Sequence, residues 1–334
     1  MVGQALRSGI LRCDRSLAGW KGPAGSSDAG NAAALSPVDD PRQLARLIVN
    51  TRAPRPLDHC VLSTADLGTA RGRLSALGFT VAPAGVHPFG TANACIYFAD
   101  GTFLEPLSVD RRELTREAIA KHNVFVAHDA RYRSRNGDEG FSALVFGTED
   151  ARADHAAFVA AGYSAGPILD FSRPARDAFG REDVAAFRLA FARDASAVDT
   201  LFFTCQRVLS PKIDRAALEV HPNGAFGMAS VILTAGDPTA FGSIVSLVSG
   251  RSSDMDGPGS SLQLMSTREF ARDFGGDPPD EDQLRLRAIV FRVPDLGRLL
   301  DCLNDAGIPS RRSGGRPVVD PAPGQGAIFI FDPR

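Results

Sequence analysis

Apolar and polar positions along this chain follow a pattern that recurs. Residues 57–64 (LDHCVLST) form a short apolar run rich in β-formers, with His59 set inside it. Asp66 stands at a helix N-cap position, Leu67, Ala70, Leu74 and Leu77 follow at helical spacing, and Gly78 stands where such a helix closes. Residues 79–82, 91–98 and 102–109 read as three more strands, and Asp100-Gly101 is a type I′ hairpin signal between the last two. The predicted unit is strand, helix and three strands, with His59 on the first strand and Glu105 on the last.

The opening of this unit returns three times. Residues 141–148 lead to Asp150 and a helical pattern closing at Gly162. Residues 228–234 lead to Asp237 and close at Gly250, and residues 288–293 lead to Asp295 and close at Gly307. The Asp-to-Gly interval is identical in three copies and one residue longer in the third. A repeat of this kind marks one duplicated supersecondary unit. The expected fold is α+β: tandem βαβββ modules at 57–109, 140–208, 227–273 and 284–331, the last incomplete, forming two curved mixed β-sheets with helices packed outside. The expected division is a weakly structured leader at 1–54, a first module pair at 55–209, a linker at 210–226 and a second pair at 227–334.

Composition narrows the function classes. The formal net charge is -2, so no basic face is implied and nucleic acid is not the expected partner. No apolar stretch approaches the roughly 20 residues needed to cross a bilayer. The five cysteines at 13, 60, 95, 205 and 302 are scattered and form no CxxC pair. Four of them lie in apolar patterns, as buried thiols of a reducing, cytoplasmic protein do. The leader is rich in Ala, Gly, Ser and Arg, with Arg7, Arg12, Arg15 and Lys21 ahead of the acidic residues. A transit peptide, an upstream start or a disordered leader each account for it. A secretory signal is disfavoured because no continuous apolar core is present. Residues 41–49 read as a short helix with Pro41 in its first turn.

The run LDHCVLST, the downstream HPFGTANA at 87–94 and the strand GTFLEPLSV at 101–109 resemble the glyoxalase-like domain group of the vicinal oxygen chelate superfamily, and the HPNGA at 221–225 is similar as well. The resemblance covers roughly residues 57–331. It implies that the strand-one His and strand-four Glu point into the cup of a curved sheet. There His59 and Glu105 act as ligands of a divalent metal (Zn, Fe, Mn or Ni), or Glu105 acts as a base. The chemistry is coherent: neutral imidazole and carboxylate suit such ions, and a carboxylate beside one can take a proton from carbon next to a carbonyl. The superfamily hosts many reactions and plain binding proteins, so the fold does not choose among them.

Other residues follow from this frame. His87 and Asn93, on a loop near the cup mouth, are candidate ligand-binding groups. Residues 110–139 read as a polar connector, or as a lid whose arginines meet an anion. The second module has Ser142 and Ala143 where His59 sits, and Phe203, Thr204, Cys205 and Gln206 where Glu105 sits, so it offers no second His/Glu pair. Gln206 remains a candidate oxygen donor. Residues 170–183 read as a polar loop in which Arg173, Arg176 and Arg181 can approach a ligand. His221, in the linker, is a candidate third ligand. The last two modules hold no His, which leaves that half structural or a binder of ligands without a metal. The expected function is binding of a small oxygen-rich or aromatic metabolite in the first module pair, with metal-dependent lyase or isomerase chemistry. The alternatives are a non-catalytic binding or resistance protein and a structural dimer module without ligand. The chain is expected to act as a monomer or homodimer.

Overall fold

Each repeat of the sequence pattern becomes a helix flanked by strands of one sheet. The computed structural model describes residues 54–176, 182–212, 214–251, 262–275 and 282–333. The expectations for residues 1–53, including the helix at 41–49, lie outside them. Asp66, Asp150, Asp237 and Asp295 each accept a hydrogen bond from a backbone N–H of the following turn. Gly78, Gly162, Gly250 and Gly307 take positive φ just past the helix ends. These caps satisfy backbone groups that a helix end leaves unpaired, which is why the Asp-to-Gly interval is preserved.

The first module comprises β1 (Leu57–Ser63), α1 (Leu67–Ala76), β2 (Gly85–Val86), β3 (Thr91–Asn93), β4 (Ile96–Tyr97) and β5 (Phe103–Val109). Helices α2 (Arg112–Ala120) and α3 (Val124–Asn136) lead to the second, made of β6 (Gly140–Gly147), α4 (Ala151–Ala160), β7 (Leu169–Arg176), β8 (Glu182–Ala192) and β9 (Leu201–Leu209). All nine strands join one mixed sheet in the order β2-β3-β5-β1-β6-β9-β8-β7, with β4 against β5. β5 runs parallel to β1 and β9 parallel to β6, while β1 and β6 meet antiparallel at the centre. The outermost strands β2 and β7 come against each other, so the sheet curls almost closed around a chamber.

The second sheet is built from β10 (Gly227–Ala235), α5 (Gly242–Ser249), β11 (Leu262–Ser266), α6 (Thr267–Phe274), β12 (Arg285–Arg292), α7 (Leu296–Asp305), β13 (Arg311–Ser313), β14 (Arg316–Val319) and β15 (Ile328–Asp332), in the order β11-β10-β12-β15-β14-β13. The last copy is not the incomplete one. Among the described residues the third shows one strand, a helix and one return strand, whereas the fourth has its strand, helix and three further strands. Three local expectations also change. Residues 79–82 are not a strand, residues 170–183 are largely the facing strands β7 and β8 rather than a loop, and the Asp100-Gly101 turn is not type I′. Only Gly101 has positive φ there, so the turn matches a type I turn closed by a left-handed glycine.

Strand alternation sorts side chains into two environments. Cys60 and Leu62 enter a large core that also takes Phe79 and Phe98 and, from the second sheet, Phe291 and Phe329. Val61, Leu107, Phe125 and Phe203 form a separate cluster on the chamber side. In the second sheet Val231 and Leu233 belong to the shared core, while Ile232 faces Phe270 and Phe274 of α6. The face equivalent to the chamber is therefore plugged by an amphipathic helix, with each phenyl ring contributing roughly 2 kcal/mol.

Candidate functional site

The chamber of the first sheet is a cavity of about 430 Å³. Its walls carry phenyl rings from β7, β8, β9 and α3, and its floor is polar. Glu105 stands at the centre of that floor. Its Oε2 lies 3.4 Å from His59 Nε2, and its Oε1 lies 3.6 Å from His87 Nε2 and accepts a 2.7 Å hydrogen bond from Asn93 Nδ2. All four side chains are buried. β1 and β5 pair in parallel with Val61 opposite Glu105, which sets Glu105 one step diagonally from His59 on the same face. Phe103 stacks on His59 at 4.2 Å and Phe89 stacks on His87 at 5.0 Å, so both imidazoles are held by their flat sides and by their outer nitrogens.

Those outer nitrogens have partners. His87 Nδ1 lies 2.9 Å from Thr91 Oγ1. His59 Nδ1 lies 3.0 Å from Asp58 Oδ2, and Arg207 Nη2 donates to Asp58 Oδ1 at 2.5 Å. Asp58 precedes His59 directly, and simple alternation would send it to the opposite face. A register irregularity in the pairing of β1 with β6, between Leu57 and His59, turns it inward. Bulges re-aim side chains in this way.

The electrostatics follow from these contacts. Burial alone would lower the His59 pKa, but the hydrogen bonds and charges of Asp58 and Glu105 outweigh it and raise the value. Burial would raise that of Glu105, but His59, the His87 charge and the Asn93 hydrogen bond carry it down to about 2. His87 is lowered to about 4, by burial first and then by Arg173 and His59, against the pull of Glu105. Near neutrality the floor therefore holds an ionised carboxylate, a neutral His87 and a His59 inclined to keep its proton.

Two imidazoles and a carboxylate are donors that borderline divalent ions accept. Hydrogen bonding of each outer nitrogen is what metal-ligating histidines need. The three do not converge on one centre, because Glu105 turns a different oxygen to each ring. Among the described residues, no three His, Cys, Asp or Glu side chains gather into a metal-holding group. His59 Nε2 and Glu105 Oε2, 3.4 Å apart, supply one nitrogen and one oxygen donor of the kind such an ion accepts.

Of the residues singled out in the sequence, His59, His87, Asn93 and Glu105 meet at this floor, and Cys205 and Arg173 also line the chamber. Gln206 does not. Alternation along β9 points Cys205 and Arg207 inward and Gln206 outward, where it donates to the Glu149 carbonyl and accepts from the Ala151 N–H at the start of α4. His221 is also elsewhere. Its Nδ1 accepts from the Thr80 N–H and its Nε2 donates to the Tyr97 carbonyl, and burial lowers its pKa to about 4. It straps the linker to the first module. Of the connector arginines, Arg133 and Arg135 are engaged by Asp129 and Asp199. Asp58, Arg207 and Arg215 were not anticipated. The adjacent Asp-His pair in LDHC was the available signal, but only the bulge makes it meaningful.

Asp58 is a positioning residue on this geometry. Asp58→Asn keeps an oxygen for His59 Nδ1 and removes the charge. The expected result is a loss on the order of 10- to 100-fold in metal affinity or activity, together with a lowered His59 titration midpoint by NMR. An unchanged midpoint would show that Asp58 does not act through His59.

Comparison with known proteins agrees with the architecture. A solved structure of a hypothetical protein from Staphylococcus aureus superposes with a TM-score of 0.55 at 13% identity, over 84% of this chain and 99% of that one. A mutant of 4-hydroxymandelate synthase from Streptomyces coelicolor superposes with a TM-score of 0.53 at 15% identity, over 84% of this chain and 92% of that one. At such identities the likeness is one of fold. No curated protein matches the chain. The family described as the glyoxalase-like domain matches residues 57–246, the span holding the complete chamber and the start of the second sheet. With that match over more than half its length, the chain belongs to the glyoxalase-like domain family of the vicinal oxygen chelate superfamily.

Proposed function

We propose that the first module pair binds a small aromatic or apolar molecule carrying oxygen substituents and moves a proton on it. The observation that carries this reading is the juxtaposition of the His59–Glu105–His87 floor with aromatic walls in one chamber. Ligand sites combine mostly apolar walls with a few converging polar groups in this manner.

The roles follow from the protonation states. Glu105, near 2, is a weak proton acceptor at rest and serves as the anion that fixes His59. His59 has the value raised from 6.5, so it is the group suited to donate a hydrogen bond or a proton to a ligand oxygen near neutrality. Neutral His87, aided by Asn93, orients the ligand. Where a divalent ion is bound, His59 and Glu105 would hold it, and it would polarise a ligand oxygen. The buried thiols Cys60, Cys95 and Cys205 are free and suit a reducing, cytoplasmic setting.

One observation favours a purely binding role as the second reading. The positions of β6 and β9 that mirror the polar floor hold Ala143 and Phe203, which pack in the chamber-side cluster. A single experiment separates the readings. Purified protein, His59→Ala and Glu105→Gln are each assayed for bound metal by mass spectrometry. Each is then screened with aromatic diols, 2-oxo acids and 1,2-dicarbonyls for turnover and thermal stabilisation. The expected result is turnover in the wild type that falls at least about 100-fold in both variants, while ligand stabilisation persists. Stabilisation without turnover, with Mn, Fe, Ni or Zn supplied, would establish the binding role. Variants that match the wild type in every response would remove the site.

A further inference from the structure

A second cavity, of about 350 Å³, lies against the first. The two share Asn93, Tyr97, Arg173, Asp214 and Arg215 as lining, so these side chains form the wall between them. Beyond that wall the second chamber is lined by small apolar groups, including Pro83, Val86, Pro174 and Ala185. The first chamber is suited to an aromatic head and the second to a slender aliphatic tail.

The dividing wall carries two cations. The Arg215 guanidinium lies over the Tyr97 ring at 4.5 Å, and that of Arg173 lies 6.0 Å from the centre of the Phe187 ring. Arg207, nearby, is neutralised by Asp58. Among the described residues, neither Arg173 nor Arg215 has a carboxylate partner. The one acid in the wall, Asp214, is exposed and accepts from the Ala216 N–H. A guanidinium braced on an aromatic ring with its N–H edge unclaimed is suited to binding an oxyanion, commonly through two parallel hydrogen bonds. Gly85 leaves room for this arrangement. A Cβ at that position would fall 2.7 Å from Arg173 Nη1 and 2.7 Å from Asn93 Oδ1, so a side chain at 85 would crowd both.

We propose that Arg173 and Arg215 form an oxyanion subsite between the chambers, and that the ligand is an elongated acid. Its aromatic head lies over Glu105, its carboxylate or phosphate group lies in the wall, and its aliphatic tail runs into the second chamber. This rests on the reading of the first chamber as a ligand site and narrows it, since compact neutral diols and dicarbonyls would leave the arginines and the second chamber unused.

The test is titration calorimetry on the full chain with five probes: benzyl alcohol, benzyl phosphate, benzyl hexyl phosphate, 2-benzyloctanoate, and neutral benzyl hexyl ether. Benzyl phosphate is expected to bind at least about tenfold more tightly than benzyl alcohol, and a two-armed acid more tightly again. Whichever of the phosphodiester and the carboxylate binds more tightly identifies the oxyanion. Arg173→Gln and Arg215→Gln should each cost the acids about tenfold or more and cost benzyl alcohol and the ether far less. Gly85→Ala, which crowds Asn93 as well as Arg173, should weaken the acids too. Equal binding of acid and neutral probes, or indifference to the arginines, overturns the subsite. Equal binding of benzyl phosphate and its hexyl ester overturns the role of the second chamber. Two further outcomes separate this proposal from the reading beneath it. If benzyl alcohol binds and Phe171→Ala weakens it while the arginine variants change nothing for any probe, the first-chamber reading stands and the subsite fails. If the acids depend on the arginines but no probe responds to Phe171→Ala, the subsite stands and the first-chamber reading fails. Absence of binding by all five probes overturns both.

Discussion

Glu105→Ala is expected to lower the free energy of unfolding by about 3 kcal/mol near pH 6, and by less as the pH rises. Two effects combine. The Asn93 amide, buried and donating to Glu105 at 2.7 Å, loses its acceptor, and an orphaned buried polar group costs about 1–3 kcal/mol. The His59 imidazole keeps Asp58 but loses its second anion. Breaking a buried ion pair costs about 3–5 kcal/mol when nothing replaces it, and the surviving Asp58 contact reduces that figure. The pH dependence is fixed by the directions of the two shifts. His59 is raised in the folded state, so its contribution is full below its unfolded value of 6.5 and is lost as pH rises through the folded value. Glu105 is depressed from 4.5 to about 2, so its contribution is full above 4.5 and is lost as pH falls towards 2. Their mutual stabilisation is therefore greatest between about pH 4.5 and 6.5. Urea unfolding at pH 5, 6, 7 and 8 checks this. A loss of equal size at all four would mean that His59 and Glu105 are not electrostatically coupled. Glu105→Gln retains an oxygen for Asn93 and should lose much less stability, which separates the charge from the packing.

Gly90→Ala is the second large effect, about 2–4 kcal/mol of destabilisation, and it originates in backbone rather than charge. Gly90 has a φ of +87° in the loop between His87 and Thr91, a region that costs an L side chain roughly 1–2 kcal/mol. A Cβ there would fall 2.5 Å from the Arg111 carbonyl oxygen and 2.9 Å from the Thr115 nitrogen. Both are main-chain atoms of the turn into α2, so relief requires moving the loop. Forced overpacking adds about 1–3 kcal/mol. Moving the loop also moves His87, whose backbone N–H bonds to the Thr91 carbonyl and whose carbonyl accepts from the Gly90 N–H. Denaturant midpoints and ligand stabilisation should fall together. Wild-type stability in Gly90→Ala would mean that the α2 turn yields without cost. The glycine of HPFGT is thus explained by a close approach between loop and helix.

Much of the fold could be read from sequence because its determinants are local. Asp66, Asp150, Asp237 and Asp295 act on backbone groups within three residues of themselves, and the repeated interval exposes them. His59 and Glu105 could be paired because period-two alternation places both on one face. Asp58 could not, since the register shift that brings it inward depends on β6, far along the chain. Gln206 fell on the wrong side of β9 for the opposite reason. It lies in the region of β9 that corresponds to Glu105, yet alternation points it to α4. His221 has the chemistry of a ligand, and only the positions of Thr80 and Tyr97 show that both its nitrogens are committed. Arg215 joins the chamber wall from the segment between the sheets, a placement that no local pattern encodes.

The core in which Phe79 and Phe98 meet Phe291 and Phe329 also limits how this chain can change over time. The second sheet carries no histidine, and α6 fills its chamber face. Its other face completes the packing beneath β1, the strand that carries His59. A charge introduced at Phe291 would therefore be felt as a displaced imidazole on the far side of that strand. Deleting the second half would expose the aromatic surface beneath the first to water, where it would favour aggregation.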